Sequence, residues 1–261
     1  MTSPGERNKQ VYESDALARK YAEQQPLQPP EETILNIVLR ELAPRRVLDL
    51  GVGGGRTTGQ FSALAQEYVG IDYSERMVAA CRARFTEESG KLEFHVADVR
   101  SMPMFADGHF DFVLFSYNGI DYISAATRGQ ALQEIRRVLR TDGYFAFSSH
   151  NLNSLKNRLR WKWNRNLKAT VSGLLWLLQL RRHNPGLGDL AAVEGVEVND
   201  GALDFQLRTY YQQPKAQVAE LRRVGFEDIR AFRLSDGRLI ESELELDAID
   251  EDWLYYVCRR A

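Results

Sequence analysis

The chain has 261 residues, 44% of them hydrophobic and 27% charged, with a formal net charge of −2. That is enough apolar material for a stable core without staples, and too little net positive charge for the whole chain to be a polyanion binder. Two cysteines far apart, Cys81 and Cys258, exclude a disulfide framework and read as core thiols. No apolar run reaches the roughly 20 residues that cross a bilayer, and the start lacks a basic-then-apolar signal pattern, so the expected location is cytoplasmic.

Residues 1–30 are polar, with a short helical pattern around Val11, Leu17, Ala18 and Tyr21 that Pro26 to Pro30 breaks. Such a segment could fold over a ligand as a lid, with Tyr12 or Tyr21 touching it, or dock loosely as an arm. Ile34, Leu35, Val38, Leu39 and Leu42 form a helical stripe ending before Pro44. Val47 to Leu50 reads as a short buried strand. Gly51, Gly53 and Gly55 let the backbone turn tightly and approach a ligand, and Thr57 to Ala65 reads as a helix. Strand, glycine turn and helix make the first unit of a doubly wound α/β fold, in which ligands sit at the carboxyl end of the strand.

A dinucleotide fingerprint, G-x-G-x-x-G counted from Gly51, needs glycine at position 56, which is Arg56. The spacing is instead D-x-G-x-G-x-G, from Asp49 to Gly55. In this the chain resembles the class I methyltransferases that use S-adenosylmethionine (SAM). The resemblance implies a Rossmann-like sheet of seven strands with the last antiparallel, helices on both faces, and a helical insertion as a cap. It also implies that Asp49 orders the glycine turn near the amino group of SAM. The plain alternative is a glycine turn with no ligand.

Glu67 to Asp72 reads as a second strand ending in a carboxylate, which can accept from both hydroxyls of a ribose. Ser74 follows as a helix cap. Asp72 to Met77 matches the family's D-x-S-x-x-M pattern, which implies that Tyr73 and Met77 flank the adenine; core packing is the other reading of Met77. Leu92 to Val96 alternates as a third strand. The resemblance places Asp98 and Val99 on the adenine amine and a ring nitrogen, although a loop aspartate can simply cap a turn.

Phe110 to Phe115 is an apolar run around one acid, a strand buried on both faces. Ser116, Tyr117, Asn118 and Tyr122 follow it. By the resemblance this end faces the transferred methyl, with Ser116 on the cofactor side and Tyr117, Asn118 and Tyr122 on the acceptor side. The sequence lacks the N-P-P-Y or D-P-P-Y tetrapeptide of nucleobase-amine and glutamine-amide methyltransferases. Ala125 to Leu139 is an amphipathic helix, Thr141 to Gly143 a turn, and Tyr144 to Ser149 a fifth strand. Arg137 to Gly143 resembles the family's R-x-L-x-P-G-G, with Asp142 as a departure from it. His150 ends the strand, where a side chain projects over the crevice, and is the candidate general base; a purely structural histidine is the alternative. His95, His109 and His183 show no ligand spacing, and no metal site is expected.

Residues 151–183 hold eight basic residues (Lys156, Arg158, Arg160, Lys162, Arg165, Lys168, Arg181 and Arg182), no acid, and Trp161, Trp163 and Trp176. Three readings stand: a cap over an anionic acceptor with Arg158 in contact, a peripheral membrane surface, or a solvated helical pair packed on the core. No nucleic-acid motif accompanies them. Residues 184–201 read as loop, and Asp204 to Tyr211 as a strand bringing Tyr210 and Tyr211 toward the acceptor. Pro214 opens a helix, Phe226 to Leu234 is the sixth strand, and Trp253 to Cys258 the closing one. Residues 236–252 carry eight acids and one base, which either balance the basic insertion or form a solvated loop.

The expected organisation is therefore a lid segment (1–30), a SAM-binding core (31–150), a basic acceptor-side insertion (151–213) and the rest of the core (214–261). The expected activity is methyl transfer from SAM to a small-molecule acceptor in biosynthesis, with S-adenosylhomocysteine as product. The alternatives are a non-catalytic SAM-binding or regulatory protein, and an NAD-type Rossmann oxidoreductase.

Overall fold

In the computed structural model, residues 4–14, 25–86, 91–159 and 167–261 are described. Five parallel strands, β1 (Arg46–Leu50), β2 (Glu67–Asp72), β3 (Leu92–Val96), β4 (Phe110–Phe115) and β5 (Leu139–Asn151), lie in the order β3-β2-β1-β4-β5. The closing strand β9 (Trp253–Arg260) runs antiparallel to β5 and to β8 (Phe226–Arg233), so the expected seven-stranded sheet is present. The sheet also carries a hairpin that the sequence reading missed. β6 (Gly195–Val198) pairs antiparallel with β7 (Thr209–Gln212), and β7 joins the end of β5 at His150 and Asn151. Gly195–Val198 therefore corrects the loop expected there, while 204–208 is turn and coil rather than strand. Leu203, Asp204 and Phe205 all have positive φ, which interrupts the extended backbone their alternation suggested.

Helices cover both faces. Ile34 and Val38 extend from α2 (Pro29–Ile37) into the π turn Val38–Leu42 that follows it. They pack against one face with Phe61 of α3 (Thr58–Ser62) and with Val78 and Cys81 of α4 (Glu75–Arg84). Leu132, Ile135 and Val138 of α5 (Ala125–Val138) pack on the other, with Leu221 of α8 (Pro214–Val224) and Leu246 of α9 (Glu243–Ala248). β4 reads apolar throughout because Phe112 and Leu114 enter the first layer while Val113 and Phe115 enter the second. Its single acid, Asp111, accepts from the backbone N–H of Arg45 and Arg46 and from Arg140. The turn read at Thr141 to Gly143 is an irregularity inside β5. Phe110 pairs with Leu139 but Phe112 with Tyr144, so the intervening residues loop out, with Asp142 at φ 59°.

The insertion after β5 begins with α6 (Leu152–Leu159) and α7 (Leu167–His183). Leu152, Leu155, Leu180, Val198 and Tyr211 form its own small core. Besides the pairing of β7 with β5, the insertion meets the core at Arg128, which is 1% exposed and bonds Asp121, Gln217 and the Ile120 carbonyl while lying over the Tyr210 ring. α1 (Pro4–Tyr12) is tied down by Asn8, whose side chain donates to the carbonyls of Tyr122 and Arg208. Leu17, Ala18 and Tyr21 lie outside the described residues. The acidic 236–252 stretch contains α9; its ion pairs run to Lys215, Arg233 and Arg238. Among the described residues no helix is long and apolar enough to cross a membrane.

Candidate active site

A cavity of about 240 Å³ opens at the carboxyl ends of β1, β2 and β4. Asp49, Gly51, Gly53, Asp72, Tyr73, Met77, Asp98, Val99, Ser116, Tyr117 and Tyr122 all line it, so the structure brings these sequence-predicted residues to one place. Tyr12 lines it too, edge-on to Tyr73 and Tyr122 with ring centroids 6.0 and 5.7 Å away.

The glycine turn is shaped by what lies beneath it. Gly51 has φ 60°, and a Cβ there would stand 2.9 Å from the Phe115 ring. Gly55 is not on the cavity wall; a Cβ on it would meet Phe85 at 2.5 Å and Cys81 at 3.3 Å, so its constraint is packing. Asp49 accepts from the hydroxyls of Thr57 at 2.6 Å and Tyr68 at 2.5 Å, and burial pushes its carboxyl up to about 6. Asp72 accepts from the backbone N–H of Gly53 at 3.0 Å and Ser74 at 2.9 Å, and burial raises it likewise to about 6. Ser74 caps α4 by accepting from the Met77 N–H. Two desolvated carboxylates facing a hollow, neither of them in an ion pair among the described residues, suit a ligand that brings hydroxyls and positive charge. Asp98 does cap its own turn, accepting from the Arg100 N–H at 2.9 Å, and its carboxylate also pairs with the Arg100 side chain. Val99 remains beside it on the wall.

Glu31 and Arg56, which the sequence pattern does not single out as site residues, shape the other end. Glu31, in the first turn of α2, is fully buried and accepts from Arg56 (Nη1 at 2.7 Å), from the hydroxyl of Ser116 and from Tyr255 at 3.0 Å. Burial raises the Glu31 carboxyl, but Arg56 and these hydrogen bonds bring it below the ordinary carboxylate range. Arg56 lines the cavity and lies over the Tyr117 ring at 5.1 Å. A buried glutamate 25 residues from its arginine leaves no mark in spacing; the fold alone joins them. Tyr117 and Asn118 both take left-handed backbone, at φ 56° and 61°, a strained pair where β4 ends.

His150 is not on the cavity wall. Its backbone N–H and Nδ1 reach the same oxygen of Asp121, at 2.6 and 2.8 Å. The other oxygen of Asp121 accepts from Arg128 at 2.9 Å and from Ser149 at 2.8 Å. A carboxylate only accepts, so the proton sits on Nδ1 and the Nε2 lone pair is free to accept from Asn118 Nδ2, 3.4 Å away. Asn118 is buried with its Oδ1 unbonded, and its neighbours Tyr117 and Gly119 do line the cavity. Tyr211 packs on the imidazole at 4.9 Å and bonds Asp200, while Tyr210 lies under Arg128. Arg158 lies over the Trp176 ring at 4.9 Å. Tyr210, Tyr211 and Arg158 therefore stand in the insertion's packing, apart from the cavity. Arg160, Trp161, Lys162, Trp163 and Arg165 lie outside the described residues.

The methyltransferase domain family matches over residues 47–143, which covers the glycine turn and the ends of β2, β3 and β4. Residues 47–143 match a methyltransferase domain, a similarity that points to SAM as the cofactor. The chain is 34% identical over 110 residues to the uncharacterised methyltransferase YcgJ of Bacillus subtilis, a match spanning 41% of this chain and 42% of that protein. It is 35% identical over 72 residues to the ubiquinone biosynthesis O-methyltransferase of Aromatoleum aromaticum, covering 28% of this chain and 31% of the relative. The chain thus spans less than half the length of these relatives. A SAM-dependent methyltransferase of Mesorhizobium loti has the same fold, with a TM-score of 0.61 at 19% identity over 88% of this chain and 98% of that one.

Proposed function

We propose that the protein methylates a small-molecule acceptor, using SAM held in the cavity between the glycine turn and Ser116–Ser124. The observation that carries this reading is the convergence of Asp49, Asp72, Val99, Tyr117 and Tyr122 on one cavity. Bound SAM supplies a methyl group already activated on a sulfonium. Asp72 accepts from the ribose hydroxyls, Asp49 holds the glycine turn for the amino group, and Asp98 and Val99 receive the adenine. Arg56 offers its guanidinium to the carboxylate, held in place by Glu31. Tyr12, on the cavity wall, helps to exclude water from the site. Alignment of this kind supplies roughly 7–11 kcal/mol of a bimolecular barrier.

A hydroxyl acceptor must also lose a proton. Asp121 fixes the tautomer of His150, so Nε2 is the atom that takes it. This requires the acceptor hydroxyl to take the place of Asn118 Nδ2 at Nε2, with Asn118 Oδ1 left to receive a donor from the acceptor. The test is transfer of isotopically labelled methyl from SAM to a panel of hydroxyl and amine acceptors. Labelled product formed by the wild type and lost in Asp72→Ala supports the reading. SAM binding with no transfer across the panel favours a regulatory SAM-binding protein instead.

A further inference from the structure

Among the described residues, nothing of its own chain covers the apolar face of α7. Val171, Leu174, Leu175 and Leu178 are 54, 44, 55 and 54% exposed. At about 100° per residue they fall within an arc of roughly 100°, the i, i+3, i+4, i+7 stripe of an amphipathic helix. The helix is held by its other side, where Leu180 is fully buried and Trp176 packs into the insertion's core. Exposed Arg181 and Arg182 end the stripe and exposed Lys168 begins it. No acid occurs anywhere from 151 to 183.

We infer that this face is a docking surface for an anionic lipid bilayer, with α7 lying in the plane of the interface. Its 17 residues span about 25 Å, short of the roughly 30 Å hydrocarbon thickness, so the helix rests on the membrane and does not cross it. Apolar side chains on one face with cations at both ends suit the boundary between acyl chains and acidic headgroups, and each basic residue near such a surface adds to the attraction. A second copy of the chain fits less well. The four side chains expose on the order of a few hundred Å², whereas a stable dimer buries roughly 800 Å² per partner. Two such helices face to face would also bring Lys168, Arg181 and Arg182 of each copy together with no acid on either helix to answer them.

The test is co-sedimentation of the full chain with phosphatidylcholine vesicles and with vesicles of equal phosphatidylcholine and phosphatidylglycerol. The wild type should pellet with the anionic vesicles only and be released by high salt. Leu175→Gln with Leu178→Gln, and separately Arg181→Gln with Arg182→Gln, should each weaken that binding at least about tenfold. These positions are exposed, so both variants should keep the wild-type circular dichroism spectrum and S-adenosylhomocysteine affinity. Absence of binding to anionic vesicles, or equal binding by wild type and both variants, overturns the inference. So does a stable wild-type dimer in light scattering that Leu175→Gln with Leu178→Gln dissociates.

Discussion

Asp72 gives the sharpest prediction, because its charge is both necessary to the proposed site and costly to the fold. Its carboxylate is bonded only by backbone N–H groups among the contacts described above, and burial raises it from 3.8 to about 6. About nine-tenths of it is ionised at pH 7 and about one-tenth at pH 5. A protonated carboxyl cannot accept from both ribose hydroxyls, so the affinity for S-adenosylhomocysteine should fall roughly tenfold between these pH values through Asp72 alone. Asp72→Ala should cost about 1.5–3 kcal/mol at pH 7, or roughly 10- to 150-fold, and should remove the Asp72 part of the pH dependence. What remains belongs to Asp49, also at about 6. The sign for stability is opposite. Between about pH 4 and 6 the folded chain holds protons on these two aspartates that the unfolded chain has released, so they favour folding at low pH and that stability is lost as pH rises to 6. Each carries about 3 kcal/mol by this arithmetic. Isothermal titration calorimetry at several pH values checks the first effect, and thermal melts without ligand check the second. Affinity that stays flat from pH 5 to 7, or is unchanged in Asp72→Ala, would refute the assignment.

His150→Ala should lower kcat by roughly 10²–10⁴-fold while leaving S-adenosylhomocysteine affinity within about twofold, since the cofactor contacts lie on other strands. Steady-state kinetics on a hydroxyl acceptor decides it, and a variant that keeps most of its kcat removes the base. Asp121→Asn should lower kcat more than it changes the acceptor KM, because it unsettles the tautomer of His150 without touching the acceptor. Equal loss in both parameters would point to a packing role. Glu31→Gln leaves the Arg56 guanidinium without its counter-charge and should destabilise the fold by about 3–5 kcal/mol, read from urea midpoints. A loss under 1 kcal/mol would mean that the pair is solvated in solution.

The cofactor half of the site was legible in sequence because it is local. Asp49 and the glycines, Asp72 and Ser74, and Asp98 and Val99 each sit where a strand ends, and period and turn chemistry find strand ends. Gly55 shared the glycine pattern yet serves packing against Phe85, a difference that only the neighbour reveals. Glu31 and Asp121 escaped because their meaning lies in partners brought by the fold: Arg56 and Ser116 for one, His150 and Arg128 for the other. The insertion was the weakest region to read. β6 is four residues, too short for its Val-Glu-Val alternation to mark a strand, and is specified by pairing with β7, while three positive φ values break the pattern that suggests a strand from 204.

The most direct measurement of the central claim is a side-by-side titration of the purified chain with S-adenosylhomocysteine and with NAD. The account predicts one S-adenosylhomocysteine bound per chain, weakened by Asp72→Ala, and no heat from NAD. Saturable NAD binding, or no binding of S-adenosylhomocysteine by a folded protein, would contradict it.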